Sequence, residues 1–260
     1  MTTTVEHRSV QLAPPAVVLK GVAKTFGSGP HAVPALRDID LTVRSGEFVC
    51  LLGASGCGKS TLLNVVADLE RPTAGEIDLR TARPSFMFQE SALLPWLTAG
   101  RNVELPLQLS GFGRRERRER AESLLSLVRL EGQGGKRPHE LSGGMRQRVS
   151  LARALASATS ADEPGMLLMD EPFAALDAIT RDMLQSELLR IWEATGTTIL
   201  FVTHDVREAV RLAQRVVLLS SRPGTVVREW DVPQNGAADR ETLHDEITAR
   251  LRQVITSHAA

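Results

Sequence analysis

Apolar positions recur along this chain with two periods. Between residues 17 and 49, "VVLKGVAKTF" and "LRDIDLTV" alternate apolar and polar residues, and "GSGPHAVP" separates them. That alternation predicts strands. Phe48 to Leu52 is continuously apolar, as a buried strand requires, and a helical pattern follows to about Leu69. "RPTAGEI" predicts a turn into a short strand, and "PSFMFQE" predicts a strand ending at Gln89. From 91 to 135 no β-like run occurs. "GFGRRERRERAESLLSLVRL" sets a charged half before an apolar stripe at Leu124, Leu127 and Val128, which predicts a small helical insertion. Arg114 to Arg120 reads as a solvated helix face with Arg–Glu pairs, not a nucleic-acid patch. Beyond it, "MRQRVSLARALA" is helical and "GMLLMDEP" is a strand ending in carboxylates. Leu184, Leu188, Ile191 and Trp192 have helical spacing, and "TTILFVTHD" and "RVVLLSS" are strands. Leu243, Ile247, Leu251 and Val254 mark a last amphipathic helix. The alternation predicts an α/β fold, a mostly parallel sheet with helices on both faces.

The chemistry sits where strands end. "LLGASGCGKSTLL" sets Gly53, Gly56, Gly58, Lys59 and Ser60 in the pattern G-x-x-x-x-G-K-[ST] between a strand and a helix. Glycines let several N–H groups turn toward one anion, and the helix adds its positive end. Lys59 would reach β- and γ-phosphates and Ser60 would hold Mg²⁺, so the chain is expected to bind a nucleoside triphosphate. In "MLLMDEP", Asp170 would hold Mg²⁺ and Glu171 would polarise the attacking water; alone, the stretch could be a strand with an acidic turn. "ELSGGMRQR" puts Ser142, Gly143 and Gly144 at another helix start, which is either an anion site or an ordinary cap by Ser142. Two phosphate-binding helix starts far apart in one chain suit two copies facing head to tail.

Composition narrows the class. With 31 basic and 31 acidic residues in 260, a strongly basic nucleic-acid surface is not expected. Cys50 in a strand and Cys57 in the loop are the two cysteines, expected as reduced thiols. No apolar run approaches the ~18 residues of a membrane span. A soluble, intracellular protein is expected, with any membrane role running through a partner. Residues 1–15 read as a frayed tail.

Taken together, these motifs resemble the ATPase subunit of ABC transporters over nearly the whole chain. Gly53, Ala54, Ser55, Gly56, Cys57, Gly58, Lys59, Ser60 and Thr61 match Walker A. Leu141, Ser142, Gly143, Gly144 and Met145 match the signature, and "MLLMDEP" matches Walker B. Asp177 closes a D-loop, Gln89 matches the Q-loop and His204 the switch histidine. The resemblance implies a P-loop NTPase core with an N-terminal antiparallel β subdomain and an inserted α-helical subdomain. The ATPase domain would span 16–225 with the insertion at about 90–148, and 226–260 would form a C-terminal extension. It implies ATP and Mg²⁺, with Ser60, Gln89 and Asp170 around the metal. Glu171 would be the general base, His204 would contact the γ-phosphate and Gln89 would sense it. Ser142 and Gly144 would bind the nucleotide of the other copy in an ATP-bound homodimer, and Asp177 would pass geometry between copies.

Phe26 stands where the family usually stacks a tyrosine on adenine, in a chain with no tyrosine; it either stacks or packs in the core. Asp68 replaces a glycine common in the family, and "FAALD" carries Ala174 as a further departure. "LLPWLT" and "RPG" resemble the nitrate, sulfonate and taurine importers. That branch implies a separate membrane permease, indirectly a solute-binding protein, and a peripheral place on the cytoplasmic face of the membrane. Leu94, Trp96 and Leu97 would dock the permease or else pack the insertion. The rival reading is a soluble ABC ATPase acting on ribosomes or DNA, or in iron–sulfur assembly. The short interval from Gln89 to Ser142, the single ATPase domain and the two cysteines speak against it.

Overall fold

Two sheets organise the chain. The computed structural model describes residues 13–81, 84–158, 165–174, 176–233 and 236–259. Strands β1 (Pro15–Phe26), β2 (Val33–Arg44) and β3 (Phe48–Leu52) lead into helix α1 (Lys59–Val66). Then come β4 (Ala74–Leu79), β5 (Ser85–Met87), α2 (Ala99–Leu109), α3 (Arg114–Leu127) and α4 (Gly143–Ala158). The remainder is β6 (Met166–Asp170), α5 (Ala178–Thr195), β7 (Thr198–Thr203), α6 (Val206–Leu212), β8 (Arg215–Leu219), β9 (Val226–Asp231) and α7 (Ala237–Ala259). The first sheet is antiparallel with order β2-β1-β4, and the second has order β5-β6-β7-β3-β8-β9. Only the β8–β9 pairing of the second sheet is antiparallel.

Successive side chains of a strand point to opposite faces, and the second sheet is covered on both. Val49 and Leu51 of β3, Leu168 of β6, Leu200 and Val202 of β7 and Val217 of β8 share one core with α1 and the antiparallel sheet. Phe48, Cys50 and Leu52 of β3, Leu167 and Met169 of β6, Phe201 of β7 and Val216 and Leu218 of β8 belong to the other. That second core also takes Val103 and Leu107 of α2, Leu125 of α3, Val149 of α4 and Ile247 of α7.

The insertion is helical, and three Arg–Glu pairs at i,i+4 spacing line the exposed face of α3. Its buried stripe runs through Ala121, Leu125 and Val128, with Leu124 and Leu127 half-buried beside it. A boundary at 148 falls inside α4, which packs on α2 and α3 and also on β5 and β6. A boundary at 225 would separate β8 from β9, so the main sheet continues into the expected extension and buries Trp230. The strand expected to reach Gln89 stops at Met87. Of the expected tail, residues 1–12 lie outside the described residues, but Pro15 already pairs with Arg44 in β1. "ATSADEPG", which reads as a surface loop, has its residues 159–164 outside the described residues. Among the described residues no helix is long and apolar enough to cross a membrane.

α1 ends in a Schellman turn. Asp68 N donates to Val65 O at 3.2 Å and Leu69 N donates to Asn64 O at 2.9 Å. The turn requires a left-handed residue, and Asp68 has φ 57° there. A glycine would meet that requirement without strain. The aspartate bears both the backbone strain and a negative charge at the helix's negative end. Asp68→Gly is therefore expected to raise the unfolding free energy by about 1 kcal/mol, and Asp68→Asn by about half that. Urea denaturation measures both; a less stable glycine variant would mean that Asp68 holds the turn in some other way.

Candidate active site

The phosphate loop is shaped by close approach. Gly58 caps α1 with φ 106° and Gly56 has φ 75°, a region L side chains avoid. A Cβ on Gly53 would stand 2.7 Å from the Cys57 Sγ, and one on Gly58 would stand 2.7 Å from the Ala35 carbonyl oxygen. The chain thus curls over the start of α1, where helix N–H groups lack intrahelical partners. Lys59 is buried, and its Nζ donates to the carbonyls of Gly53 at 2.8 Å and Ala54 at 3.0 Å.

Over this loop lies a cleft of about 450 Å³. Ser55, Gly56, Gly58, Lys59, Ser60, Thr61, Gln89, Asp170 and Glu171 line it, so it gathers residues from three distant motifs. Asp170 ends β6, and Glu171 follows with φ 43°, strained backbone of the kind found at functional sites. The turn sets Glu171 Oε1 3.9 Å from Lys59 Nζ and Oε2 3.0 Å from His204 Nδ1, just beyond β7. Burial raises the Asp170 carboxyl above its ordinary value, against a hydrogen bond from Ser60 that lowers it. Burial also pushes up the Cys57 and Cys50 thiols, both free and protonated core residues.

The remaining candidates lie apart from the cleft. Phe26 ends β1 with an exposed ring, 4.9 Å from Lys24 Nζ, so it is not a core residue. Ser142 Oγ accepts from Met145 N at 3.2 Å and opens α4 as its cap. Leu141 is buried, whereas Ser142 and Gly143 are exposed. Gly144 faces α5, where a Cβ would stand 3.0 Å from Thr180 Cγ2. Asp177 is exposed and caps α5 through Thr180 N at 3.0 Å, a bond that holds its carboxyl below the usual range.

Several contributors were not read from the sequence. Gln147 of α4 is buried; its Nε2 donates to Pro172 O at 2.6 Å and lies 3.5 Å from Gln89 O, tying the Gln89 segment to the end of β6. Asn102 of α2 accepts from Leu94 N and donates to Leu94 O, Leu97 O and Thr98 O, fixing a turn that leaves Trp96 68% exposed. Arg222 and Ala35 line the cleft as well. The "RPG" at Arg222 was the only signal for that arginine, and the sequence said nothing of where it would lie.

Mg²⁺ prefers oxygen donors. Ser60 and Asp170 converge as hydroxyl and carboxylate, and Gln89 adds an amide oxygen, so the donor set fits that ion. A half-buried carboxylate whose ionisation is disfavoured is also one whose charged form a cation would stabilise.

Residues 36–174 match the family model described as ABC transporter. The taurine import ATP-binding protein TauB of Burkholderia pseudomallei is 46% identical, over 79% of this chain and 80% of that protein. The nitrate import ATP-binding protein NrtD of Synechocystis is also 46% identical, over 84% of this chain and 82% of its own length. Among solved structures, a dimeric ATP-binding cassette in a post-hydrolysis state, bound to ADP and Pi, superposes with a TM-score of 0.72 at 35% identity. The superposition covers 84% of this chain and all of that one.

The raised Asp170 carboxyl has a stability consequence. A folded-state value above the unfolded one favours the protonated form, so ionised Asp170 opposes folding. The penalty is absent below the ordinary value of 3.8 and complete above the raised one. Asp170→Asn keeps an acceptor for Ser60 without the charge. Without nucleotide or Mg²⁺ it should melt above wild type at pH 7, and the gap should close as pH falls toward 4. Thermal melts across pH test this; a gap independent of pH would remove the electrostatic cause.

Proposed function

The chain belongs to the ABC transporter family, and from that membership we propose that it hydrolyses ATP to energise import of a small solute through a separate membrane permease. The observation that carries hydrolysis is the meeting of Lys59, Asp170, Glu171 and His204 at one phosphate loop. Import is supported by identity with taurine and nitrate import subunits over most of the chain. The solute is taurine, another aliphatic sulfonate, or nitrate, handled by a solute-binding protein and the permease and never by this subunit.

The residues act in sequence. ATP phosphates take the place of the Gly53 and Ala54 carbonyls as acceptors for Lys59. Ser60, Asp170 and Gln89 would hold Mg²⁺, whose charge would offset that of the phosphates. Glu171 accepts the proton of the attacking water while His204 holds the carboxylate and reaches the γ-phosphate. Phe26 stacks on the adenine through its exposed ring. The Leu141–Met145 segment does not line its own chain's cleft, which supports a homodimer in which a second copy supplies that segment, with Asp177 beside it. Trp96, displayed by the Asn102-braced turn, docks the permease on the cytoplasmic face of the membrane.

Glu171→Gln is expected to retain ATP binding and lose at least ~10²-fold in hydrolysis, the scale of a lost general base. Lys59→Ala should instead weaken nucleotide binding. Near-normal phosphate release by the glutamine variant would assign the base elsewhere. Trp96→Ala should leave the isolated subunit's ATPase near wild type and abolish uptake in cells. Normal uptake, with no disulfide crosslink between a cysteine at 96 and the permease, would move the docking surface.

A further inference from the structure

Lys59 is not the only cation of the cleft. Arg222 lines it too, on the loop between β8 and β9, and none of the phosphate-binding motifs contains it. That loop is built onto the phosphate loop. Gly224 N donates to Ala35 O at 2.9 Å, and Gly224 O accepts from Arg37 N at 2.9 Å. A Cβ on Gly224 would stand 2.4 Å from the Cys57 carbonyl oxygen, so only glycine permits this seating. Ser220 Oγ donates to Pro223 O at 2.9 Å and accepts from Thr225 N at 2.8 Å, closing the turn around Arg222. The backbone is braced, yet among the described residues the Arg222 guanidinium has no hydrogen bond or ion pair. An unpaired guanidinium on a rigid loop at an anion site suits phosphate oxygens, which it can hold through two parallel bonds.

Topology says which phosphate. The strand order β6-β7-β3-β8 puts the phosphate loop, after β3, between two sides. Glu171 and His204, after β6 and β7, occupy one side and act on the γ-phosphate in the reading above, on which this step rests. Arg222, after β8, is on the other side. We propose that Arg222 binds the sugar-proximal part of the phosphate chain, at the α-phosphate, and so recognises nucleoside diphosphate and triphosphate alike.

Calorimetric titration of the full chain with MgADP and with the magnesium complex of the β,γ-imido triphosphate tests it. Arg222→Ala is expected to weaken both by a similar factor of about 5 to 10, the worth of a charged hydrogen bond reduced by solvent exposure. Arg222→Lys should recover part of the loss. Added KCl should weaken wild type more steeply than Arg222→Ala, which a purely structural role would not produce. Arg222→Gln, with its ligand-free melting temperature measured, serves where the alanine variant misfolds. Unchanged affinity for both nucleotides overturns the assignment, as does a loss confined to the triphosphate analogue, which would put the guanidinium at the γ-phosphate. Wild type that binds neither nucleotide would overturn the nucleotide reading itself, before any variant is made.

Discussion

A parallel sheet covered on both faces leaves little room for charged side chains along its inner strands, and the rest of this structure follows from that constraint. Phe48 to Leu52, Met166 to Met169 and Thr198 to Thr203 are all buried. Polar chemistry is displaced to the carboxyl ends, where each strand leaves the two cores. Lys59 and Ser60 follow β3, Asp170 closes β6, Glu171 follows it, His204 follows β7 and Arg222 follows β8. Ser55 and Arg222, 167 positions apart in the chain, line one cleft because β3 and β8 are neighbours in one sheet.

Within the cleft, electrostatics and backbone strain work together. Lys59 donates to two carbonyls, which carry no full charge, and the Glu171 carboxylate 3.9 Å away is beyond hydrogen-bond distance, so the ammonium can turn to an incoming anion. Glu171 is held in a left-handed backbone conformation, with Pro172 fixed by Gln147 and its own carboxylate fixed by His204. Strain of this kind persists only where the surroundings over-determine it. Burial of Asp170 beside Ser60 makes the same spot unfavourable for a bare charge and favourable for a cation.

α4 links this centre to the helical side of the molecule. Gln147 touches the segments after both β5 and β6, and Arg153 donates to Ser91 O at 3.0 Å and Ala92 O at 2.7 Å. The same helix begins at Ser142, and Gly144 abuts α5 at Thr180. One rigid element therefore joins the Gln89 segment, the turn before Trp96 and the helix start.

The sequence by itself determined the elements and the chemistry that depends on local order. Continuous apolar runs, the spacing of Gly53, Gly58 and Lys59, and the Asp170–Glu171 pair after a strand all act between near neighbours, so composition and spacing reveal them. The α3 stripe was legible for the same reason, displaced by about one residue because only packing selects which side of a helix is most deeply buried. Tertiary structure alone decided the rest. β9 joined the main sheet as its edge strand, antiparallel to β8 across the Arg222 turn, and it buries Trp230 against the core while most of the strand stays partly exposed. Phe26 was left exposed by the end of its sheet, and Asp68 was forced left-handed by a Schellman turn. Arg222 entered the cleft because Gly224 seats its loop on the Cys57 carbonyl, a contact between segments that only folding brings together.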